Sequence, residues 1–107
     1  MKEYPESLPL TIIIPTRNEE KNIADCLGSA QWADQVFVID SHSKDQTQQS
    51  AESMGAEVVQ FQYDGGWPKK KNWAIGNIPI RNDWFMILDA DERITPELAW
   101  EIGDAIK

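Results

Sequence analysis

Leu10 to Ile14 form a continuous apolar and β-branched run closed by Pro15, the pattern of a strand buried on both faces. Behind it, Asn18 stands where it can cap a helix whose first turn holds Glu19 and Glu20, acids suited to the positive end of a helix dipole. Ile23, Leu27 and Ala30 then fall on one helical face. A second strand, Gln35 to Ile39, ends at Asp40, and Ser43-Lys44-Asp45-Gln46 has the spacing of a capping box. The helix it opens reaches about Met54 and stops at Gly55. Glu57 to Phe61 make a third strand, Gln62 to Pro68 with Gly65-Gly66 a loop, and Lys69 to Gly76 a short helix. Asp83 or Trp84 begins a fourth strand that closes at Leu88. Thr95 caps a last helix with Pro96 at its first position and Leu98, Ile102 and Ile106 spaced for burial.

Strands alternating with helices imply an α/β fold, a Rossmann-like parallel sheet in a three-layer αβα arrangement with right-handed crossovers. Ligands of such sheets sit outside the carboxyl ends of the strands, where strand order reverses. Three polar clusters lie at such ends: Thr16-Arg17-Asn18-Glu19, Asp40-Ser41 and Asp89-Ala90-Asp91. A strand order 3-2-1-4 brings all three to one crevice. At 107 residues the chain is a single domain, and no internal repeat interrupts it.

Composition narrows the partners. A hydrophobic share of 41%, with five Trp and three Phe, supports one packed core. The formal net charge of −8 argues against nucleic acid as a partner, and a phosphate ligand would need a metal ion or a few placed lysines. Cys26 is the only cysteine, so no internal disulfide forms; a reducing compartment and a buried, inert thiol are expected. MKEYPESLPL has no signal-peptide pattern, and no run approaches the roughly 18 apolar residues of a membrane span. The expectation is a soluble, cytoplasmic chain, with peripheral attachment at the inner face of a membrane left open for a longer protein.

Candidate chemistry centres on WFMILDADERIT, Trp84 to Thr95. Side chains two apart in an extended segment point the same way, so Asp89 and Asp91 can offer carboxylates to one centre. Paired carboxylates suit a hard divalent cation, Mn²⁺ or Mg²⁺, carrying phosphate oxygens. For an isolated D-x-D, solvated loop acids or helix caps are the plainer role.

Taken together, TIIIPTRNEEKNI, VFVIDSHSKDQT, WPKKKNWAI and WFMILDADERITPEL resemble the nucleotide-binding half of family 2 glycosyltransferases, inverting enzymes of GT-A fold. The likeness is greatest to bacterial members that build lipopolysaccharide core or related surface glycans, and it covers residues 10 to 98. The resemblance implies a truncated GT-A nucleotide-diphospho-sugar transferase fold over residues 1–107, with a nucleoside-diphosphate sugar, a UDP-sugar first among them, as ligand. It gives the loop of Pro15, Thr16, Arg17 and Glu19 to the nucleotide, with Thr16 and Glu19 near base and ribose. It makes Asp40 the aspartate that accepts an N–H from the base, with capping of the helix near Ser43 as its plainer role. Lys71 and Asn72 reach toward the nucleotide and its phosphates, although Lys69 to Lys71 equally suit a solvated helix face. Asp89 and Ala90 meet the ribose and diphosphate, and Asp91 ligates the metal with Asp89. Salt bridging or helix entry explains Glu92 and Arg93 equally well.

Two departures stand out. His42 occupies a place where the family commonly carries Gly, so a positive φ there implies mild strain and a turn residue, not a base. The half that supplies the acceptor site and the general base is absent, so the catalytic base is unknown and the fragment alone is expected not to transfer sugar. The acceptor implied is a surface glycan or lipopolysaccharide at a membrane surface. A non-catalytic nucleotide- or metal-binding module, or a truncated paralogue, is the alternative. Phosphatases of the haloacid-dehalogenase type place D-x-D after their first strand and usually have Thr or Val where this chain has Arg93, which sets that class aside. The last helix and fourth strand are expected to expose apolar surface, including Trp100 and Ile106, that would favour self-association.

Overall fold

The computed structural model describes residues 3–61 and 70–106. In chain order these form β1 (Leu8–Thr16), α1 (Ile23–Gly28), β2 (Ala33–Asp40), α2 (Thr47–Ser53), β3 (Glu57–Gln60), α3 (Lys70–Asn77), β4 (Trp84–Ile87) and α4 (Pro96–Ala105). The four strands make one sheet in the order β3-β2-β1-β4, every pairing parallel, as the alternation of elements predicts.

Alternation along the central strand builds the three layers. Leu10, Ile12 and Ile14 pack with Ile23, Cys26 and Leu27 of α1, Ala51 of α2 and Ala99 of α4, while Ile13 joins Phe37, Ile39, Phe61 and Ile78, with Trp73 of α3 against them. Successive side chains of a strand face opposite sides, so α1, α2 and α4 cover one face and α3 the other. At the entry edge, Thr11 Oγ1 donates to Gln35 Oε1 at 2.7 Å and accepts from Asn82 Nδ2 at 3.0 Å. This pins the approach to β4 against β1.

Several boundaries differ from the sequence reading. β1 runs through Pro15 to Thr16. Its Ile13 carbonyl accepts from Leu88 N at 3.0 Å, the last bond to the β4 side, and Pro15 faces that same side two residues on. The missing proline N–H therefore falls beyond the ladder and removes no bond. Asn18 does not cap α1, which starts at Ile23; Asn18 has φ +54°, and its side chain serves another loop. Ser43 opens no capping box either, because α2 starts at Thr47 and the Ser43 hydroxyl donates to Asp40. The N-cap is Gln46, with no side-chain cap bond, and Asp45 before it accepts from Thr47 N at 3.0 Å and from the Thr47 hydroxyl. The expected loop from Gln62 to Pro68 lies outside the described residues. Thr95 does cap α4, accepting from Leu98 N at 3.1 Å with Pro96 behind it.

Trp84 and Phe85 on β4 and Leu98 and Trp100 on α4 are exposed, while Ile106 is half-buried. Among the described residues no helix is long and apolar enough to cross a membrane.

Candidate functional site

β1 and β4 are neighbours although most of the chain separates them, so the sheet changes direction between them and opens a crevice at their carboxyl ends. A cleft of about 360 Å³ lies there, lined by Pro15, Thr16, Arg17 and Glu19 from the β1 end and Asp89, Ala90 and Asp91 from the β4 end. These are seven of the residues singled out from sequence, brought together by the strand order and the loops that follow β1 and β4. Ala90 is buried and both flanking aspartates are exposed.

The aspartate pair does not ride on an extended strand as expected. β4 ends at Ile87, and Glu92 N donates to Asp89 O at 2.9 Å, closing Asp89–Glu92 into a turn. The period-two argument thus fails locally, and the turn delivers both carboxylates to the cleft instead.

Asp40 reaches the end of β2 but does not line the cleft. It is fully buried in a row with its register neighbours Thr16 and Gln60. Its Oδ1 accepts from Thr16 Oγ1 at 2.7 Å and Ser43 Oγ at 2.5 Å, and its Oδ2 from Ser43 N and Gln60 Nε2, each at 2.9 Å. Those bonds fill the roughly four acceptor positions of a carboxylate. Burial pushes the carboxyl upward, yet the bonds from Ser43, Thr16 and Gln60 outweigh it and hold the group below the usual aspartate range. In this structure Asp40 organises the loops around it.

Those loops are bolted together by bonds that the sequence reading missed. Asn18 N donates to Ser43 Oγ and Lys44 N to Asn18 Oδ1, each at 2.8 Å. Glu19 N donates to Thr47 Oγ1 at 2.8 Å, Glu20 N to Asp45 Oδ2 at 3.2 Å and Gln46 N to Glu20 Oε2 at 3.0 Å. His42, at φ +48°, donates its N–H to Gln60 Oε1 at 2.9 Å, a turn residue as expected. The signal was present as the dense polar run after β2, read there as a helix start. Lys71 and Asn72 fall in the first turn of α3, on the face opposite α1, and their side chains lie outside the described residues. Cys26 is a buried thiol, pushed up to about 11 chiefly by burial, with Arg93 opposing.

Three carboxylates, of Glu19, Asp89 and Asp91, against the Arg17 guanidinium leave two negative charges in the cleft. A diphosphate entering it would be repelled unless a divalent cation came with it. Among the described residues no group of three or more acidic, His or Cys side chains gathers to cage a metal. The carboxylates of Asp89 and Asp91 are hard oxygen donors, the kind that Mg²⁺ or Mn²⁺ takes beside phosphate oxygens and water.

Comparison with known proteins bears on the fold and the family. An uncharacterised glycosyltransferase of Rickettsia bellii is 38% identical over 94 residues, covering 87% of this chain and 31% of that protein. The chain thus spans about a third of the length of the curated relatives it matches. Mannosyl-3-phosphoglycerate synthase from Rubrobacter xylanophilus superposes with a TM-score of 0.72 at 25% identity, over 94% of this chain and 36% of that one. Glucosyl-3-phosphoglycerate synthase from Mycobacterium tuberculosis, solved with Mn²⁺, UDP-glucose and phosphoglyceric acid, superposes with a TM-score of 0.63 at 22% identity, over 78% and 35% of the two chains. The fold is therefore that of GT-A glycosyltransferases. The family model for glycosyl transferase family 2 matches residues 11–102, and the chain belongs to that family.

Proposed function

We propose that the cleft between β1 and β4 binds the nucleoside diphosphate of a sugar donor, a UDP-sugar first among them, and that this chain is the donor-binding half of an inverting, metal-dependent glycosyltransferase. The observation that carries this reading is the meeting of the Pro15–Glu19 loop with Asp89, Ala90 and Asp91 in one cleft whose net charge is negative. Asp89 and Asp91 would hold Mn²⁺ or Mg²⁺, and that cation would supply charge neutralisation for a departing nucleoside diphosphate.

The chain's own residues supply binding and orientation. Arg17 places a guanidinium where phosphate oxygens enter, a bidentate match in shape and charge. Thr16 and Glu19 contact base and ribose from a loop made rigid by Asp40 and Thr47. Asp40 works through Thr16, since its own acceptors are filled. By the resemblance, Lys71 and Asn72 are assigned to the nucleotide and its phosphates. The acceptor, by the resemblance of the four motifs, is a surface glycan or lipopolysaccharide core sugar met at the cytoplasmic face of a membrane, and none of the residues lining the cleft is given the role of general base.

Calorimetric titration of UDP with and without Mn²⁺ tests the reading. Mn²⁺ should tighten UDP binding by at least about tenfold, on the scale of a charge-assisted contact, and Asp91→Asn should abolish that gain. Equal affinity with and without the metal would sink it.

A further inference from the structure

Neither Glu92 nor Arg93 lines the cleft, yet both are committed to the turn that carries its acids. Glu92 Oε1 accepts from Asp89 N at 2.9 Å while Glu92 N donates to Asp89 O at 2.9 Å, a reciprocal pair across the turn. Arg93 Nη1 donates to the carbonyls of Ala90 and Glu92 at 3.0 and 2.9 Å. Its Nη2 donates to Asn22 Oδ1 at 3.2 Å and lies 4.0 Å from Asp25 on α1. The buried Cys26 thiol of α1 donates to Asp89 O at 3.6 Å. Beyond the turn, Ile94 is buried, with its N–H donating to Ser29 Oγ at 3.0 Å and its carbonyl accepting from the Tyr4 hydroxyl.

We infer that Glu92 and Arg93 are positioning residues that preform the Asp89–Asp91 turn for a cation-bridged diphosphate, an inference that rests on the reading of the cleft given above. A turn followed by no helix until Pro96 has few backbone bonds of its own, and two exposed carboxylates side by side repel each other. Glu92 fixes the amide of the first aspartate. Arg93 holds the carbonyls on either side of the second by donating to both and ties the turn to α1, so the two acids meet the cation without reordering. Partners one step removed from a metal matter because they set ligand direction, and losing one costs about 10- to 100-fold in metal affinity.

The readout is the ratio of UDP dissociation constants without and with Mn²⁺, measured by calorimetry on the 107-residue chain and its variants, each checked by thermal melting. Glu92→Ala and Arg93→Met should each reduce the ratio about tenfold or more. Glu92→Gln keeps the oxygen that accepts from Asp89 N and should lose less than Glu92→Ala; Arg93→Lys should recover part of the loss in Arg93→Met. In the metal-free chain, the Asp89 amide should exchange with solvent faster in Glu92→Ala. Unchanged ratios in Glu92→Ala and Arg93→Met, or a loss in Glu92→Gln as large as in Glu92→Ala, would overturn the inference, the latter by making the Glu92 charge the operative feature. Should Arg93→Met not fold, the Glu92 pair decides alone, since that side chain is exposed. An unmutated chain whose ratio is one would overturn the reading of the cleft itself, and with it this inference.

Discussion

Replacing Asp40 by asparagine probes how the donor loop is held, because the substitution keeps size and removes charge. The carboxylate takes four bonds from Thr16, Ser43 and Gln60. An asparagine side chain offers one oxygen, which must stay with Ser43 N and Gln60 Nε2, donors that cannot turn into acceptors at those atoms. Its NH₂ then faces the hydroxyls of Thr16 and Ser43, whose protons lose their acceptor. Bonds to a charged group contribute about 1.5–3 kcal/mol each and neutral ones about 0.5–1.5; weakening two bonds and displacing two comes to roughly 2–4 kcal/mol once the hydroxyls reorient. For a domain of this size each kcal/mol moves the midpoint by about 4–8 °C, so Asp40→Asn should melt roughly 8–32 °C below the unmutated chain at pH 7. The acid limb gives an independent sign. A folded carboxyl held below its unfolded value of about 3.9 stabilises fully above that value and loses the contribution as pH falls through the folded one. The gap between the two chains should therefore narrow on acidification below about pH 4. Asp34 and Asp45 are lowered too, mainly by bonds from Arg81 and Thr47, but both chains share them. Scanning calorimetry across pH reads both effects; a variant within about 3 °C of the unmutated chain at pH 7, or a gap that widens in acid, would refute the role given to Asp40.

Two further substitutions test separate parts of the account. His42→Gly relieves a left-handed residue at φ +48° and should raise stability by about 0.5–1 kcal/mol in urea titration, the strain saved exceeding the entropy glycine adds to the unfolded chain; a loss of stability would show that the His42 side chain holds the loop. Arg17→Met should weaken UDP binding by about tenfold, the lower range for a charge-assisted contact at an exposed site, and high salt should shrink the difference; calorimetry showing equal affinity would remove Arg17 from the phosphate site.

The sheet was legible because its strands are apolar runs closed by polar residues at one end, and parallel pairing then leaves few orders possible. Strand ends were also where chemistry could be read, since the β1 and β4 ends meet whatever the loops do in detail. The start of α4 was legible in Thr95 and Pro96, but the starts of α1 and α2 were not, and the reason is physical. Asn18 and Ser43 have the side chains of local caps, but partners from a neighbouring loop compete for the same atoms, and the long-range bonds win. Asp40 was placed correctly at the end of β2, while its inward commitment depends on Thr16 and Gln60 standing beside it across three strands. Glu92 and Arg93 stood open between salt bridging and helix entry for a related reason: carbonyls of a turn leave no mark in a sequence. Pro15 inside β1 was misleading because proline ends a strand only where a neighbour needs its N–H.

The central claim, a cation-bridged diphosphate between the β1 and β4 ends, is tested most directly by paramagnetic broadening in an amide NMR spectrum on adding Mn²⁺ together with UDP. Broadening should centre on Thr16, Arg17, Asp89, Ala90 and Asp91, spare the amides of β3 and the end of α2, and vanish in Asp91→Asn. Broadening spread evenly over the acidic surface, or centred away from these two strand ends, would contradict the account.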